Sequence, residues 1–374
     1  MSQVSEPGIV TPTPLITPRR AARLRLIRLS ALLVVLVLLA VAVVGVVTAT
    51  GPPTLADLRS QAGLDGKQEL LIGVKDDQPG VSQLMEDGSY RGFDIDIAYM
   101  IAADLGFKRR QVRFLPIESE DRARRQAYDG SAFVTVDLVI ASYSISQQRR
   151  DQGVVFSEPY LETEQSVLTL SSYSGPVNGL RDLRGRRVCT LATSTSELRL
   201  REYGAEASGK NRISECVQAL YNGTVDAVTT DAAILAGFVA PLAPDAKPKH
   251  PLHGVKPLRH WDIGEDAAEK WGVNTGPNHA MKELVDWSLY QAATRPGRDA
   301  WDAAFEANLA REQPANGPPP ANGPQQVAVG QQPECRKVKV RQWPWESMIL
   351  VPLDPARRAA RRAGRARGRG SSGC

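Results

Sequence analysis

Val136-Asp137-Leu138-Val139-Ile140-Ala141-Ser142-Tyr143-Ser144-Ile145-Ser146-Gln147-Gln148-Arg149-Arg150 is the stretch on which the fold reading turns. Val136–Ser142 is an apolar run of strand length. Hydroxyl side chains follow it, and Arg149-Arg150 closes the segment. Polar groups and a cation just past the carboxyl end of a strand are what an open α/β sheet presents to a ligand.

Working outward, Leu70–Val74 and Val112–Leu115 read as further strands. Phe93, Ile97, Ile101 and Leu105 recur every four residues, an amphipathic helix face with Gly106 where the helix should stop. Arg122–Tyr128 suits a helix ending at Asp129-Gly130. Phe156–Leu170 stays extended, and a second set follows: strand Arg187–Leu191, helix Ser196–Tyr203, strand Arg212–Ser214, helix Cys216–Tyr221, strand Val225–Thr229 and helix Ala232–Val239. Trp271–Thr275 is extended again, and His279–Ala293 and Arg298–Leu309 read as helices. The class is α/β. Two similar sets joined by two extended crossings, near Leu161–Ser166 and Trp271–Thr275, imply two lobes around a cleft, residues 67–165 with 272–311 and residues 166–271.

The ends differ from this middle. Leu29–Val47 is an apolar run that, at about 1.5 Å per residue, just spans a hydrocarbon core of roughly 30 Å. Arg19, Arg20, Arg23, Arg25 and Arg28 precede it and no basic cluster follows, so residues 1–28 read as a cytoplasmic disordered leader and everything beyond as extracellular. Residues 29–48 are expected to be a single-pass membrane anchor, or alternatively a signal segment cleaved after Val47-Thr48-Ala49, and residues 49–66 a tether. Residues 312–334 are rich in Pro, Gly, Asn and Gln and read as a disordered linker. In the extension 335–374, Val338–Trp345 and Met348–Leu353 read as short strands, and an Arg-rich tail follows Arg357. The net charge of +5 therefore comes from the two ends, the middle is mildly acidic, and nucleic acid is not an expected partner. The four cysteines, Cys189, Cys216, Cys335 and Cys374, lie on the exported side, where disulfides persist, and show no metal-ligand spacing.

Gly73-Val74-Lys75 with Asp77-Gln78-Pro79-Gly80, Gly92-Phe93-Asp94-Ile95-Asp96-Ile97-Ala98, the stretch 136–150, Phe156-Ser157-Glu158-Pro159-Tyr160 and Val225-Asp226-Ala227-Val228-Thr229-Thr230-Asp231 occur in this order over about residues 68–310. Together they resemble the polar-amino-acid class of bacterial extracellular solute-binding proteins that serve ABC importers. Val188-Cys189-Thr190 and Ser214-Glu215-Cys216 are most similar to actinobacterial glutamate-binding members. The resemblance implies the two-lobed periplasmic-binding-protein type II fold, with a hinge of two crossings, carried here behind an N-terminal transmembrane helix.

It also implies roles. A zwitterion entering a partly dry cleft needs a guanidinium for its carboxylate and an acid for its ammonium. By resemblance Arg149 clamps the α-carboxylate, helped by Ser142 and Ser144 from the same loop and by Ser194 and Thr195 at a helix start. Thr193 stands where relatives often carry Gly. Asp231 receives the α-ammonium and also suits a helix cap. Lys75 and Arg122 receive a side-chain carboxylate. Three cations against one Asp suit a ligand with two carboxylates and one amine, which favours glutamate or aspartate over glutamine; glutamate is expected, less so aspartate or glutamine. Asp94 and Asp96 read as first-turn acids favoured by the helix dipole. A Cys189–Cys216 disulfide is expected, and the pairing of Cys335 and Cys374 stays open. The chain is expected to be a monomer, to need no cofactor or metal, and to hand its ligand to an ABC permease. The alternatives are a membrane-tethered sensor and, more remotely, a dehydratase on the same fold. The four histidines are scattered and form no Ser/His/Asp or Cys/His constellation, so no enzyme is expected.

Overall fold

Pro18–Thr50 winds into one helix, α1, and within it Arg25–Val46 is long and apolar enough to cross a bilayer, about 33 Å at the α-helical rise. Its large side chains from Leu26 to Val46 are exposed, with no polar face to pack against a core. The computed structural model describes residues 18–239, 247–263, 269–294, 297, 299–309, 330–334 and 336–341. Residues 1–17, most of the 312–334 linker, Cys335, and 342–374 with Met348–Leu353 and Cys374 lie outside the described residues. Two compact units, Met1–Pro53 and Thr54–Cys374, are treated separately.

The second unit opens with α2 (Leu55–Gln61), capped by Thr54, whose hydroxyl accepts the Asp57 N–H while Asp57 accepts the Thr54 N–H. Strands β1 (Leu70–Val74), β2 (Asp77–Gln78), β3 (Ser82–Leu84) and β4 (Tyr90–Arg91) lead to α3 (Phe93–Asp104). Then come β5 (Val112–Pro116), β6 (Gln126–Tyr128), β7 (Phe133–Thr135), β8 (Leu138–Val139), α4 (Gln147–Asp151) and β9 (Phe156–Thr163). The second set is β10 (Gln165–Leu170), β11 (Arg187–Leu191), α5 (Thr195–Tyr203), β12 (Glu206–Lys210), α6 (Ile213–Tyr221), β13 (Ala227–Asp231), α7 (Ala232–Val239) and β14 (Leu258–Asp262). The chain closes with β15 (Glu269–Asn274), α8 (His279–Thr294) and α9 (Ala300–Asn308).

One five-stranded sheet runs β5-β1-β8-β15-β9 and the other β12-β11-β13-β10-β14, each with three parallel strands joined to an antiparallel pair. The chain passes from the first sheet to the second at Glu164, between β9 and β10. It returns between Asp262 and Glu269. The crossing expected at Trp271–Thr275 is therefore placed earlier, because Trp271 pairs with Leu161 inside the first sheet.

Two local expectations fail for identifiable reasons. Arg122–Tyr128 is not a helix: Arg125 takes φ 57°, which breaks helical geometry, and Gln126–Tyr128 pairs with Phe133–Thr135 instead. Arg212–Ser214 is not a strand: Arg212 is the N-cap of α6, and the parallel partner of β11 is Glu206–Lys210.

On α3, Phe93, Ile95, Ile97 and Ile101 are fully buried, and each such side chain contributes roughly 1.5–3 kcal/mol. Phe93 meets the rings of Trp301 and Phe305 edge-on, which docks α9. Gly92, which caps α3, sits at φ 130° with the Val81 carbonyl 2.3 Å from where a Cβ would be, so only glycine fits. Cys189 of β11 and Cys216 of α6 are disulfide-bonded, Cα–Cα 5.3 Å, closing a loop worth about 3–4 kcal/mol in the chain-entropy model. Of the expected strand Val338–Trp345, the described residues 338–341 form no strand, only a bridge from Arg341 to Thr54. In the described part of the linker, Gln331 exchanges two backbone hydrogen bonds with Glu162 on the β9 edge.

Candidate ligand-binding cleft

β8 is only two residues long, and the polar loop after it is held by side chains rather than by a sheet ladder. Ser142 takes φ 49°, a left-handed conformation unfavourable for a residue with a Cβ. Its N–H donates to Asp94 Oδ2 at 2.9 Å and its hydroxyl to Gln78 Oε1 at 2.6 Å. Asp94 is fully buried and also accepts the Tyr160 hydroxyl at 2.9 Å. Burial pushes its carboxyl up to about 7, partly offset by those hydrogen bonds. Asp94 therefore does more than complement a helix dipole, since it fixes the shape of the Ser142 loop. Asp96 is bonded by Asn308 on α9.

Two guanidiniums lie against Tyr143. Arg122 is 4.6 Å and Arg149 4.4 Å from the ring centroid. Arg149 is reached through α4, whose N-cap Ser146 accepts its N–H at 3.3 Å, and its side chain folds back onto the Ser144 carbonyl and across to the Thr193 carbonyl at 3.0 Å. Arg122 donates to the carbonyls of Ser119, Ala141 and Ser142 at 3.2–3.3 Å. Among the described residues, neither its buried Nη2 nor Gln78 Nε2 has an acceptor. Burial and the neighbouring Arg149 charge bring the Arg122 guanidinium down to about 10, and burial lowers Arg149 as well. Two desolvated cations against the same ring call for an anion.

Asp231 ends β13 in the other lobe and is buried. Trp271 donates its indole N–H to the carboxylate, and the Trp271 backbone bridges to Ser144, so one residue ties the acid to the Arg149 loop. Burial first, then the like charge of Glu269, raises Asp231 to about 7 against the pull of Arg149 and Arg122. Glu269 itself lies 3.4 Å from Arg199.

Ser194 caps α5, accepting the Glu197 N–H at 3.0 Å, and Thr195 opens the helix half-buried. Thr193 sits at φ 56°, the region that a glycine would occupy without strain. Lys75 is buried. Its ammonium donates to Ile117 O (3.2 Å), Ser119 Oγ (3.4 Å) and, from the other lobe, Asn211 O (2.8 Å), and burial lowers its pKa. Asn211 belongs to a cluster that grips the first lobe: Arg212 lies 2.9 Å from Asp76 and 3.3 Å from Glu118, and the Ser214 N–H donates to Asp77 at 2.9 Å. Nothing in the local sequence announces these partners, because each contact joins residues from different lobes.

The structure thus brings Arg122, Ser142, Ser144 and Arg149 together with Asp231, and Ser194 and Thr195 adjoin them through Thr193. Lys75 stands with Ser119 at the lobe junction. A separate cavity of about 410 Å³, lined by Asp77, Tyr221 and Phe238 among others, contains none of these eight residues. No cluster of His, Cys, Asp or Glu able to hold a metal occurs among the described residues.

Residues 70–313 match the family model of bacterial extracellular solute-binding proteins, family 3. The glutamate-binding protein GluB of Corynebacterium glutamicum is 33% identical over 204 residues, 51% of this chain and 67% of that one. The ABC transporter glutamine-binding protein GlnH of Bacillus subtilis is 30% identical over 48% of this chain and 67% of its own. An ancestral arginine-binding protein bound to glutamine superposes with TM-score 0.53 at 28% identity, over 65% of this chain and 98% of that one. Sheet order, loop and family match agree: this chain belongs to the family 3 bacterial extracellular solute-binding proteins, an amino-acid-binding family, and has their two-lobed type II fold.

Proposed function

We propose that the two lobes close on an acidic amino acid, glutamate ahead of aspartate, with the amide glutamine the weaker alternative, and that the closed form is presented to an ABC permease. Arg149, with Ser142, Ser144, Ser194 and Thr195, takes the α-carboxylate, and Asp231 takes the α-ammonium. Arg122 receives the side-chain carboxylate. Lys75 adds charge rather than a free donor, since its three protons already have acceptors.

The observation that carries this reading is the surplus of buried donors at Ser142. Arg122 Nη2 and Gln78 Nε2 both lack an acceptor among the described residues, and each residue is bonded to Ser142. A desolvated guanidinium N–H without a partner costs about 1–3 kcal/mol, which an incoming carboxylate recovers. A glutamine side chain offers one acceptor oxygen and two donors there, and so fits less well. The name of GluB points the same way, that of GlnH towards the amide.

The apolar helix α1 serves in this reading as an uncleaved anchor that keeps a monomeric receptor at the outer membrane face. A tethered sensor would use the same cleft and differ only in its membrane partner. No bond chemistry is proposed. Calorimetry on the full-length chain in detergent, with glutamate, aspartate, glutamine and asparagine, tests the specificity. Glutamate should bind most tightly; a preference for glutamine would overturn the charge argument.

A further inference from the structure

Arg199 stands on α5 one turn after Thr195, so the two side chains leave the helix on the same face. From there its guanidinium reaches two residues at the hinge. Nη1 donates to Gln165 Oε1 at 3.1 Å, and Nη2 lies 3.4 Å from Glu269 Oε1. Gln165 opens β10, directly after the outgoing crossing at Glu164, and Glu269 opens β15, where the chain re-enters the first sheet. One cation of the second lobe thus holds the chain at both crossings.

Both residues also adjoin Asp231. Gln165 lies opposite it in the β10–β13 ladder, fixed there by an Nε2 bond to Thr229 Oγ1 at 3.1 Å. Glu269 is buried, and its charge acts on Asp231 and on Arg149. Two buried acids so placed resist ionising together. Arg149 and Arg122 bear on Asp231, and Trp271 donates its indole N–H to it. Lys270, next in the chain to Glu269, is turned instead to Glu162 at 3.6 Å. Among the described residues, Arg199 is the cation within ion-pair distance of Glu269.

We propose that Arg199 is a positioning residue for the ammonium end of the cleft: it fixes Glu269 at the hinge and offsets its charge, which eases ionisation of Asp231. Arg199 touches no ligand and acts through Glu269. Without it, the Glu269 charge bears undiminished on Asp231, and the acid pair takes up a proton at higher pH. Because α5 also presents Ser194 and Thr195 at its start, one helix sets both poles of the bound amino acid. The inference rests on the assignment of Asp231 to the α-ammonium.

The test titrates glutamate into the full-length chain in detergent from about pH 6 to about pH 8.5. In Arg199→Gln the decline of affinity should move up by about one pH unit, so that affinity is roughly fivefold lower at about pH 7 but less than about twofold lower at about pH 8.5. Arg199→Lys, which keeps the charge, should stay close to the unaltered profile. Arg199→Gln combined with Glu269→Gln should match Glu269→Gln alone, since Arg199 acts through that carboxylate. A loss in Arg199→Gln that is equal at every pH would mark a merely structural role and overturn the proposal. So would an unchanged profile, a lysine variant that shifts as far as the glutamine one, or a double variant that shifts away from Glu269→Gln. A ligand-free readout keeps the two readings apart. Fluorine NMR of 5-fluorotryptophan-labelled protein, with the Trp271 signal assigned by its loss in Trp271→Phe, follows the Asp231 carboxyl against pH. The cleft reading fails on the unaltered protein, by no glutamate binding or a pH-flat affinity. This one fails on the Trp271 signal, if Arg199→Gln leaves its midpoint in place.

Discussion

Acidification should weaken glutamate binding through Asp231. Its carboxyl titrates at about 7 because it is buried and because Glu269 repels its charge. An ammonium is held by the ionised form, so a protonated Asp231 must lose its proton before it can bind. The ionised fraction falls from about nine-tenths at about pH 8 to about one-tenth at about pH 6, so affinity should fall roughly tenfold, or about 1.4 kcal/mol. The sign follows from the raised pKa: affinity is full above about 7 and is lost as the pH drops through it. Isothermal titration in two buffers of different ionisation enthalpy should also register about one proton released per glutamate near pH 6. Removing the repelling charge with Glu269→Gln should move the decline to lower pH and leave the high-pH affinity intact. An affinity that is flat across this range, or that rises on acidification, would refute the assignment of Asp231 to the ammonium.

Arg149→Ala or Asp231→Ala should each weaken glutamate binding by two or more orders of magnitude in calorimetry, since each leaves an opposite buried charge unmatched, a loss of about 3–5 kcal/mol. Arg122→Ala should harm glutamate and aspartate more than glutamine and asparagine; equal losses in the four titrations would remove it from the specificity role. Replacing Cys189 and Cys216 together by Ser should lower unfolding free energy by about 3–4 kcal/mol in urea titrations under oxidising conditions. Asp94, raised to about 7 by burial, should make the folded protein about 2 kcal/mol more stable at about pH 5.5 than at about pH 8, and Asp94→Asn should flatten that part of the pH profile.

What could be read in the sequence was whatever is local or carried by an ordered set of motifs. Phe93, Ile97 and Ile101 announce α3 by spacing, Leu70–Val74 announces β1, and the 136–150 stretch announces the loop that bears Ser142, Ser144 and Arg149. What could not be read depends on the other lobe or on backbone strain. Arg125 at φ 57° turns an apparent helix into the β6–β7 hairpin. The side chain of Asp94, which local sequence makes a helix-dipole acid, is claimed by Ser142 and Tyr160, partners 48 and 66 residues away. Asn211 and Arg212 meet the first lobe through contacts that no periodicity encodes. Trp271 reads as a crossing residue because it is extended and apolar. Its indole N–H on Asp231 and its strand pairing with Leu161 make it part of the first sheet and of the site.

A crystal structure of the full-length chain with glutamate tests the central claim most directly. The account predicts the α-carboxylate on the Arg149 guanidinium, with the Thr193 carbonyl displaced from it, and the α-ammonium on Asp231 of the opposite lobe. Glutamate found elsewhere, with Arg149 still bonded to Thr193 and Asp231 contacting no ligand atom, would contradict it.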